Sequence, residues 1–175
     1  MVPIFKSIKP FFSINMSIDL IIQESGIKGK GVFANRDFKR GEIVNRWDTH
    51  HILTEAQIQE LPEDQIKYIS YIGNGRYILL QEPEKYINHS CNPNTFVRDQ
   101  AEVALRGIVT GEEITCDYSL EGVNRWEFVC NCKSANCRET IYGDFSKLDA
   151  ETQKRLEPLR QEWHRKEFSG HHEAN

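Results

Sequence analysis

Tyr86-Ile-Asn88-His89-Ser90-Cys91-Asn92-Pro93-Asn94-Thr95 is the stretch on which the reading of this chain turns. It gathers amide, imidazole, hydroxyl and thiol groups around a proline whose ring fixes the local backbone. A plain polar loop is the alternative, and the density of Asn, His, Ser and Cys argues against it. Downstream lies Gly111-Glu-Glu-Ile114-Thr-Cys116-Asp117-Tyr118. Strand alternation there puts Ile114, Cys116 and Tyr118 on one face and Thr115 and Asp117 on the other. A tyrosine at a strand end is ordinarily a half-buried core residue, and only its company suggests more. Upstream, Gly29-Lys30-Gly31-Val32-Phe33 is a turn whose glycines let the backbone approach a ligand closely. An ordinary β-turn is the bland reading of that segment.

The five cysteines fall at 91, 116, 130, 132 and 137. The number is odd and the distribution lopsided, which does not fit a secreted disulfide framework. Cys130-x-Cys132-x4-Cys137 reads as a metal signature that lacks one ligand, because a structural tetrahedral Zn²⁺ site takes four thiolates or imidazoles. Cys91, Cys116 and His89 are the candidates for the fourth.

The rest of the chain sets bounds. It has 175 residues, with 22 Lys+Arg against 26 Asp+Glu and a formal net charge of −4. That length suits one domain with appendages and a core that needs no disulfide staples. Mild acidity leaves no surplus to neutralise phosphates, so direct nucleic-acid binding is not expected, whereas a Lys/Arg-rich partner is compatible. Lys6, Lys9, Asn15 and Asp19 interrupt the apolar residues of the N-terminus, which reads as a leader strand or ordered arm rather than a signal peptide. No stretch approaches the ~20 apolar residues of a membrane span.

Short β-rich runs recur at 18–23, 32–34, 43–44, 67–72, 76–80, 102–105 and 113–118. Gly73-Asn74-Gly75 reads as a hairpin turn. Thr54-Glu-Ala-Gln57 fits a capping box, predicting a short helix from Thr54 to about Leu61-Pro62. From Ser146 the tail reads as a helix with Leu156, Leu159 and Trp163 on one face and a break at Pro158. His171-His172 reads as solvated tail. No internal repeat is visible. Many short strands without a βαβ rhythm exclude a Rossmann-type enzyme, and no long helix follows the glycine turn as a dinucleotide site requires.

Taken in order and spacing, the glycine turn, Asn88-His-Ser-Cys91-x-Pro-Asn94, Glu113-x-x-x-Asp117-Tyr118 and C-x-C-x4-C resemble a SET-domain protein-lysine methyltransferase with a post-SET zinc segment. The resemblance covers about residues 18–145. It implies a mostly β fold with minor α (α+β): the β-clip of small curved sheets, with a C-terminal pseudoknot that threads the NHSC segment against the strand ending in the motif tyrosine. The implied parts are an N-terminal arm (1–17), the SET domain (18–122), the post-SET zinc segment (123–145) and a C-terminal helix and tail (146–175).

Carried over residue by residue, the resemblance gives S-adenosylmethionine contacts to Lys30, Gly31 and Val32, largely through backbone, and to Asn88, His89, Tyr68 and Tyr118. Tyr118 becomes the catalytic tyrosine. Tyr71 or Tyr77 would substitute for Tyr68 or line the substrate channel. Cys91 joins Cys130, Cys132 and Cys137 on a structural Zn²⁺. Cys116 stands where the family usually has Phe or Tyr, lining the lysine channel, and the smaller thiol implies room for di- or trimethylation. Glu139 stands where Gly commonly follows Cys-Arg, and Lys85-Tyr86 replaces the usual Arg-Phe. Ile141 and Tyr142 would cover the adenine, or simply pack in the core. The implied partner is a lysine-bearing protein, and the implied location is intracellular, cytoplasmic or nuclear. Two rivals stand beside this reading: a catalytically inactive SET-like peptide binder, and a zinc-stabilised interaction module without cofactor.

Overall fold

The computed structural model describes residues 19–120, 126–161 and 165. The N-terminal arm, Trp163 and His171-His172 lie outside the described residues. Among those described, twelve short strands alternate with turns: β1 Leu20–Glu24, β2 Lys30–Ala34, β3 Ile43–Arg46, β4 Ile52–Thr54, β5 Ile69–Gly73, β6 Arg76–Leu79, β7 Asn88–His89, β8 Thr95–Arg98, β9 Ala101–Ala104, β10 Glu113–Cys116, β11 Glu127–Val129 and β12 Thr140–Tyr142. Three short α-helices, α1 Glu55–Ile58, α2 Glu63–Ile66 and α3 Ala150–Leu156, and four 3-10 turns complete the set. The strands form four small sheets, ordered β1-β2-β10-β7, β3-β9-β8, β4-β6-β5 and β11-β12. This is the mostly β, α-poor architecture expected from the sequence.

Two arches organise the body, and they are an internal repeat that the sequence reading missed. Arg36-x-Phe38-x-x-Gly41-Glu42 and Arg106-x-Ile108-x-x-Gly111-Glu112 share the same spacing. In each, the glutamate pairs with the arginine and accepts from the backbone three residues earlier, at Lys39 (2.9 Å) and Val109 (3.3 Å). Each glycine takes a left-handed backbone, φ +82° and +86°, that a side chain would strain. Phe38 and Ile108 exchange two N–H···O bonds of 2.8 and 2.9 Å, which joins the arches back to back. The strand leaving each arch then pairs with the strand entering the other: β3 with β9, and β10 with β2. Val32, Ala34, Phe38, Val44, Ala104, Ile108 and Ile114 fill the space between them.

This exchange brings β10 beside β7, paired in parallel with Thr115 opposite Asn88 and Cys116 opposite His89. Asn94, 2% exposed, holds the two segments together. Its Oδ1 accepts from Thr115 N (2.8 Å), and its Nδ2 donates to Glu113 O (2.8 Å) and Glu112 Oε1 (3.0 Å).

Three expectations are corrected locally. The helix predicted over 54–62 is a single α-turn, α1, that gives way to tighter turns closed by Glu60 N on Gln57 O and Leu61 N on Ile58 O; Pro62, which has no N–H to extend it, instead caps α2. The strand expected over 67–72 begins at Ile69, since Tyr68 N–H closes the α2 turn on Gln65 O. The strand expected over 113–118 stops at Cys116, and Tyr118–Leu120 form a 3-10 turn. The tail forms a 3-10 turn at Phe145–Lys147 and then α3, capped by Asp149 accepting from Thr152 N at 2.9 Å. The helix ends at Leu156, before the Pro158 turn. Leu156, Leu148 and Phe145 form a separate core cluster with Leu120 from the tyrosine turn.

Candidate functional site

Tyr118 sits at the meeting point of the segments singled out in the sequence. Its hydroxyl donates to Ile87 O (2.7 Å), and its ring packs against the main core. Its backbone N–H donates to Nδ1 of His89 (3.2 Å). That bond fixes the tautomer: Nδ1 accepts, so the proton resides on Nε2, which faces the Cys91 Sγ at 3.4 Å. Burial pulls the imidazole down to about 4 against the attraction of Asp117, with Arg138 adding to the drop, so the ring is neutral at physiological pH.

Cys91 belongs to a four-sulfur cluster with Cys130, Cys132 and Cys137, whose Sγ atoms all lie within 4.8 Å of one another. The Cys91–Cys130 sulfur separation is 3.9 Å. A tetrahedron with ~2.3 Å Zn–S bonds has edges of about 3.8 Å, so the donor set fits zinc in both chemistry and size. Backbone N–H groups already point at the sulfurs: Arg138 N at Cys91 (3.3 Å), Cys91 N at Cys132 (3.5 Å) and Cys132 N at Cys130 (3.5 Å). Burial opposes ionisation of Cys132. The Cys91 N–H and the Ser134 hydroxyl nevertheless draw its thiol down to about 6. Of the three candidates for a fourth ligand, the fold brings Cys91 to the cluster. Cys116 is buried in the core beside Tyr118, and His89 lies one layer behind Cys91.

The glycine turn is built around one carboxylate. Glu113 Oε1 accepts from Ser25 Oγ (2.7 Å) and Asn88 Nδ2 (2.8 Å). It would lie 2.4 Å from a Cβ on Gly31, so any side chain there displaces the carboxylate. Asn88 Nδ2 also donates to Lys30 O (3.0 Å), tying β7 to the start of β2. Val32 is fully buried behind it, and the Lys30 ammonium lies over the Tyr86 ring. Two ammoniums approach the Tyr68 ring, Lys67 at 5.0 Å and Lys85 at 6.0 Å from its centre. Tyr71 and Tyr77 meet each other across the β5–β6 hairpin, centroids 5.0 Å apart. Ile141 is fully buried in β12, while the Lys147 ammonium lies over Tyr142.

Three residues escaped the sequence reading. Trp126 and Phe128 stack on each other (5.6 Å) and flank Tyr118 at 6.4 and 6.1 Å, building an aromatic wall beside it. The alternation Trp126-x-Phe128 ahead of Cys130 was the available signal. Arg138, directly after the last cysteine, donates from Nη2 to the fully buried Asp117 (2.7 Å).

The SET domain family model matches residues 29–119, more than half of the chain. This chain belongs to the SET-domain family. A variant-silencing SET domain-containing protein of Plasmodium falciparum is 34% identical over 140 residues, covering 68% of this chain and 5% of that protein. A histone-lysine N-methyltransferase of Eremothecium gossypii, H3 lysine-36 specific, is 28% identical over 136 residues, covering 68% of this chain and 20% of that enzyme. Human histone-lysine N-methyltransferase 2B is 30% identical over 142 residues, covering 69% of this chain and 5% of that enzyme. The chain thus matches a fifth or less of these relatives' length. A crystal structure of a Plasmodium falciparum protein assigned as a histone methyltransferase superposes with a TM-score of 0.50 at 24% identity, covering 62% of this chain and 96% of that one, and supports the SET fold. None of the described helices is long and apolar enough to cross a membrane.

Proposed function

We propose that this SET protein transfers methyl groups from S-adenosylmethionine to the side-chain amine of lysine in a protein substrate. The observation that carries the reading is the convergence on Tyr118 of the glycine strand, the Asn88–His89 segment and the four-cysteine centre. The cofactor supplies an electrophilic methyl carried on a sulfonium. The Lys30–Val32 backbone, Asn88, His89 and Tyr68 would hold it. Asn88 suits this role, because its Nδ2 is spent on protein acceptors while no donor among the described residues engages its Oδ1. With its proton committed to Ile87 O, the Tyr118 oxygen can only accept, which suits orienting a lysine N–H.

Lysine must lose a proton before it attacks, which costs about 4–5 kcal/mol at pH 7. An apolar channel lowers that cost by desolvating the ammonium. The aromatic wall of Trp126 and Phe128 beside Tyr118 supplies such a surface, with Tyr71 and Tyr77 lining the approach. Alignment of the reacting atoms contributes up to about 7–11 kcal/mol more, so no strong general base is required. Cys116 in place of an aromatic leaves room for di- or trimethylation. Zinc on Cys91, Cys130, Cys132 and Cys137 is structural, tying segment 123–145 to the SET body at 18–122. Phe145, at the end of that segment, and Leu148 and Leu156, which follow it, buttress the tyrosine turn at Leu120. Basic, lysine-rich proteins such as histones are the substrate class, in the nucleus or cytoplasm.

The test is incubation with tritiated S-adenosylmethionine and core histones or a proteome extract, followed by site mapping. Tyr118→Phe should lower turnover far more than cofactor affinity. Unchanged turnover in that variant refutes the tyrosine's role, and only monomethyl product at long times refutes the inference from Cys116.

A further inference from the structure

The residues on either side of Tyr118 are both held by one side chain from beyond the family match. Arg138 Nη2 donates to Asp117 Oδ1 at 2.7 Å and reaches Ser119 Oγ at 3.4 Å. The backbone N–H of the same residue donates to Cys91 Sγ at 3.3 Å, and Asn136 Nδ2 donates to Cys91 O at 3.0 Å. Arg138 therefore spans from a sulfur of the four-cysteine centre to the turn that carries the tyrosine. His89 makes a second, parallel connection from Cys91 Sγ to Tyr118 N.

The arrangement is poorly suited to stability alone. Asp117 is fully buried, and the Arg138 side chain is 11% exposed. Yet Asp117 Oδ2 and Arg138 Nε and Nη1 are buried without a hydrogen-bond partner among the described residues. A buried ion pair joined through one nitrogen and one oxygen recovers little of its desolvation cost, and well-packed apolar residues of similar volume would serve stability as well or better. What the pair does supply is a directional link between two chain segments that sheet pairing does not join.

We infer that Arg138 is a positioning residue for Tyr118: it anchors the tyrosine turn, through Asp117 and Ser119, to the four-cysteine centre. This rests on the methyl-transfer reading given above. Loss of the link lets the turn shift while β2 and β7, which flank β10 and are tied together through the Asn88 amide, stay in place. Misplacement of a reacting geometry by about 1 Å costs on the order of 10²-fold in rate. Because coupling is reciprocal, loosening the tyrosine side must also loosen the metal side.

The experiment compares Arg138→Gln, Arg138→Lys, Asp117→Asn, the double variant Asp117→Asn/Arg138→Gln, which leaves no unpaired buried charge, and Ile78→Ala as a core-cavity control in a separate cluster. With core histones and tritiated S-adenosylmethionine, Arg138→Gln and the double variant should lose about 10²-fold in kcat, with cofactor Kd changed less than about twofold and one zinc per chain retained. Arg138→Lys should recover part of the loss. Without cofactor or substrate, Asp117→Asn should release zinc to a colorimetric chelator several times faster than wild type, and Ile78→Ala should not. The inference is overturned if Arg138→Gln keeps wild-type kcat, if Ile78→Ala loses as much, or if Asp117→Asn releases zinc at the wild-type rate. Wild-type protein that transfers no methyl group refutes the activity instead, and the zinc-release comparison then still decides the link.

Discussion

Glu102 should make the fold less stable as pH rises, and Glu102→Gln should remove that dependence. The carboxyl lies in β9, 1% exposed, between two sheets. Thr95 Oγ1 lies 2.8 Å from Glu102 Oε2 and 3.0 Å from Thr115 O. A hydroxyl has one proton, so both contacts are hydrogen bonds only if Glu102 is protonated and donates to Thr95, leaving Thr95 to donate to Thr115 O. Desolvation agrees: it raises the Glu102 pKa from 4.5 to about 7, against the Thr95 hydroxyl and the Trp47 indole, which favour the charged form, and with the nearby Glu84 adding to the rise. The folded state therefore binds more protons than the unfolded state between about pH 4.5 and 7. Stability is full below that window and falls through it, by about 3 kcal/mol at 1.36 kcal/mol per pKa unit. Glutamine mimics the protonated acid, with its amide donating to Thr95, and does not titrate. Urea unfolding of both proteins, zinc held constant, at pH 5, 7 and 8.5 measures the difference. Taking the difference at each pH cancels the proton dependence of metal binding. The variant should match wild type at pH 5 and exceed it by about 2–3 kcal/mol at pH 8.5. A difference that does not change with pH, or a variant that is less stable at pH 8.5, would show that the buried group is not held protonated.

Three further outcomes follow from the geometry. Gly31→Ala puts a methyl 2.4 Å from Glu113 Oε1, so the carboxylate must leave Ser25 and Asn88; calorimetric affinity for S-adenosylmethionine should fall about tenfold or more, and unchanged affinity contradicts the placement of the cofactor on this turn. Asn94→Ala removes both amide donations and leaves the buried Thr115 N–H without an acceptor, so chemical unfolding should report a loss of about 3–5 kcal/mol. Stripping the metal with a chelator should lower the Tm and abolish methyl transfer, both restored by one equivalent of Zn²⁺; melting that is indifferent to the chelator would exclude a structural metal.

Much of this protein was legible because its chemistry is local in sequence. Cys130, Cys132 and Cys137 announce a cluster of metal-ligating thiols by spacing, and Gly73-Asn74-Gly75 announces a hairpin by the positive φ it needs. What stayed hidden depends on partners far along the chain. β7 is two residues long and polar, and it exists only because β10 lies beside it. The two arches share arginine, glycine and glutamate at matched positions, but the apolar member is Phe38 in one and Ile108 in the other. The repeat emerges from shared hydrogen bonds rather than from identity. The same distinction reinterprets the Asn-rich motif. Its side chains suggested ligand binding, yet Asn94 spends its amide entirely within the protein, and Asn88 spends its Nδ2 on Lys30 O and Glu113. A buried asparagine that satisfies neighbouring backbone cannot be exchanged for an apolar residue without orphaning those groups. The motif is therefore demanded first by the exchange of strands between the arches. Any cofactor site is assembled from the polar atoms that this requirement leaves over, such as Asn88 Oδ1. That order of priority means fold and site share the same residues, so a variant at Asn88 alters both at once, whereas Arg138 and Tyr118 lie at the edge of the arrangement, where position can be perturbed with the arches intact.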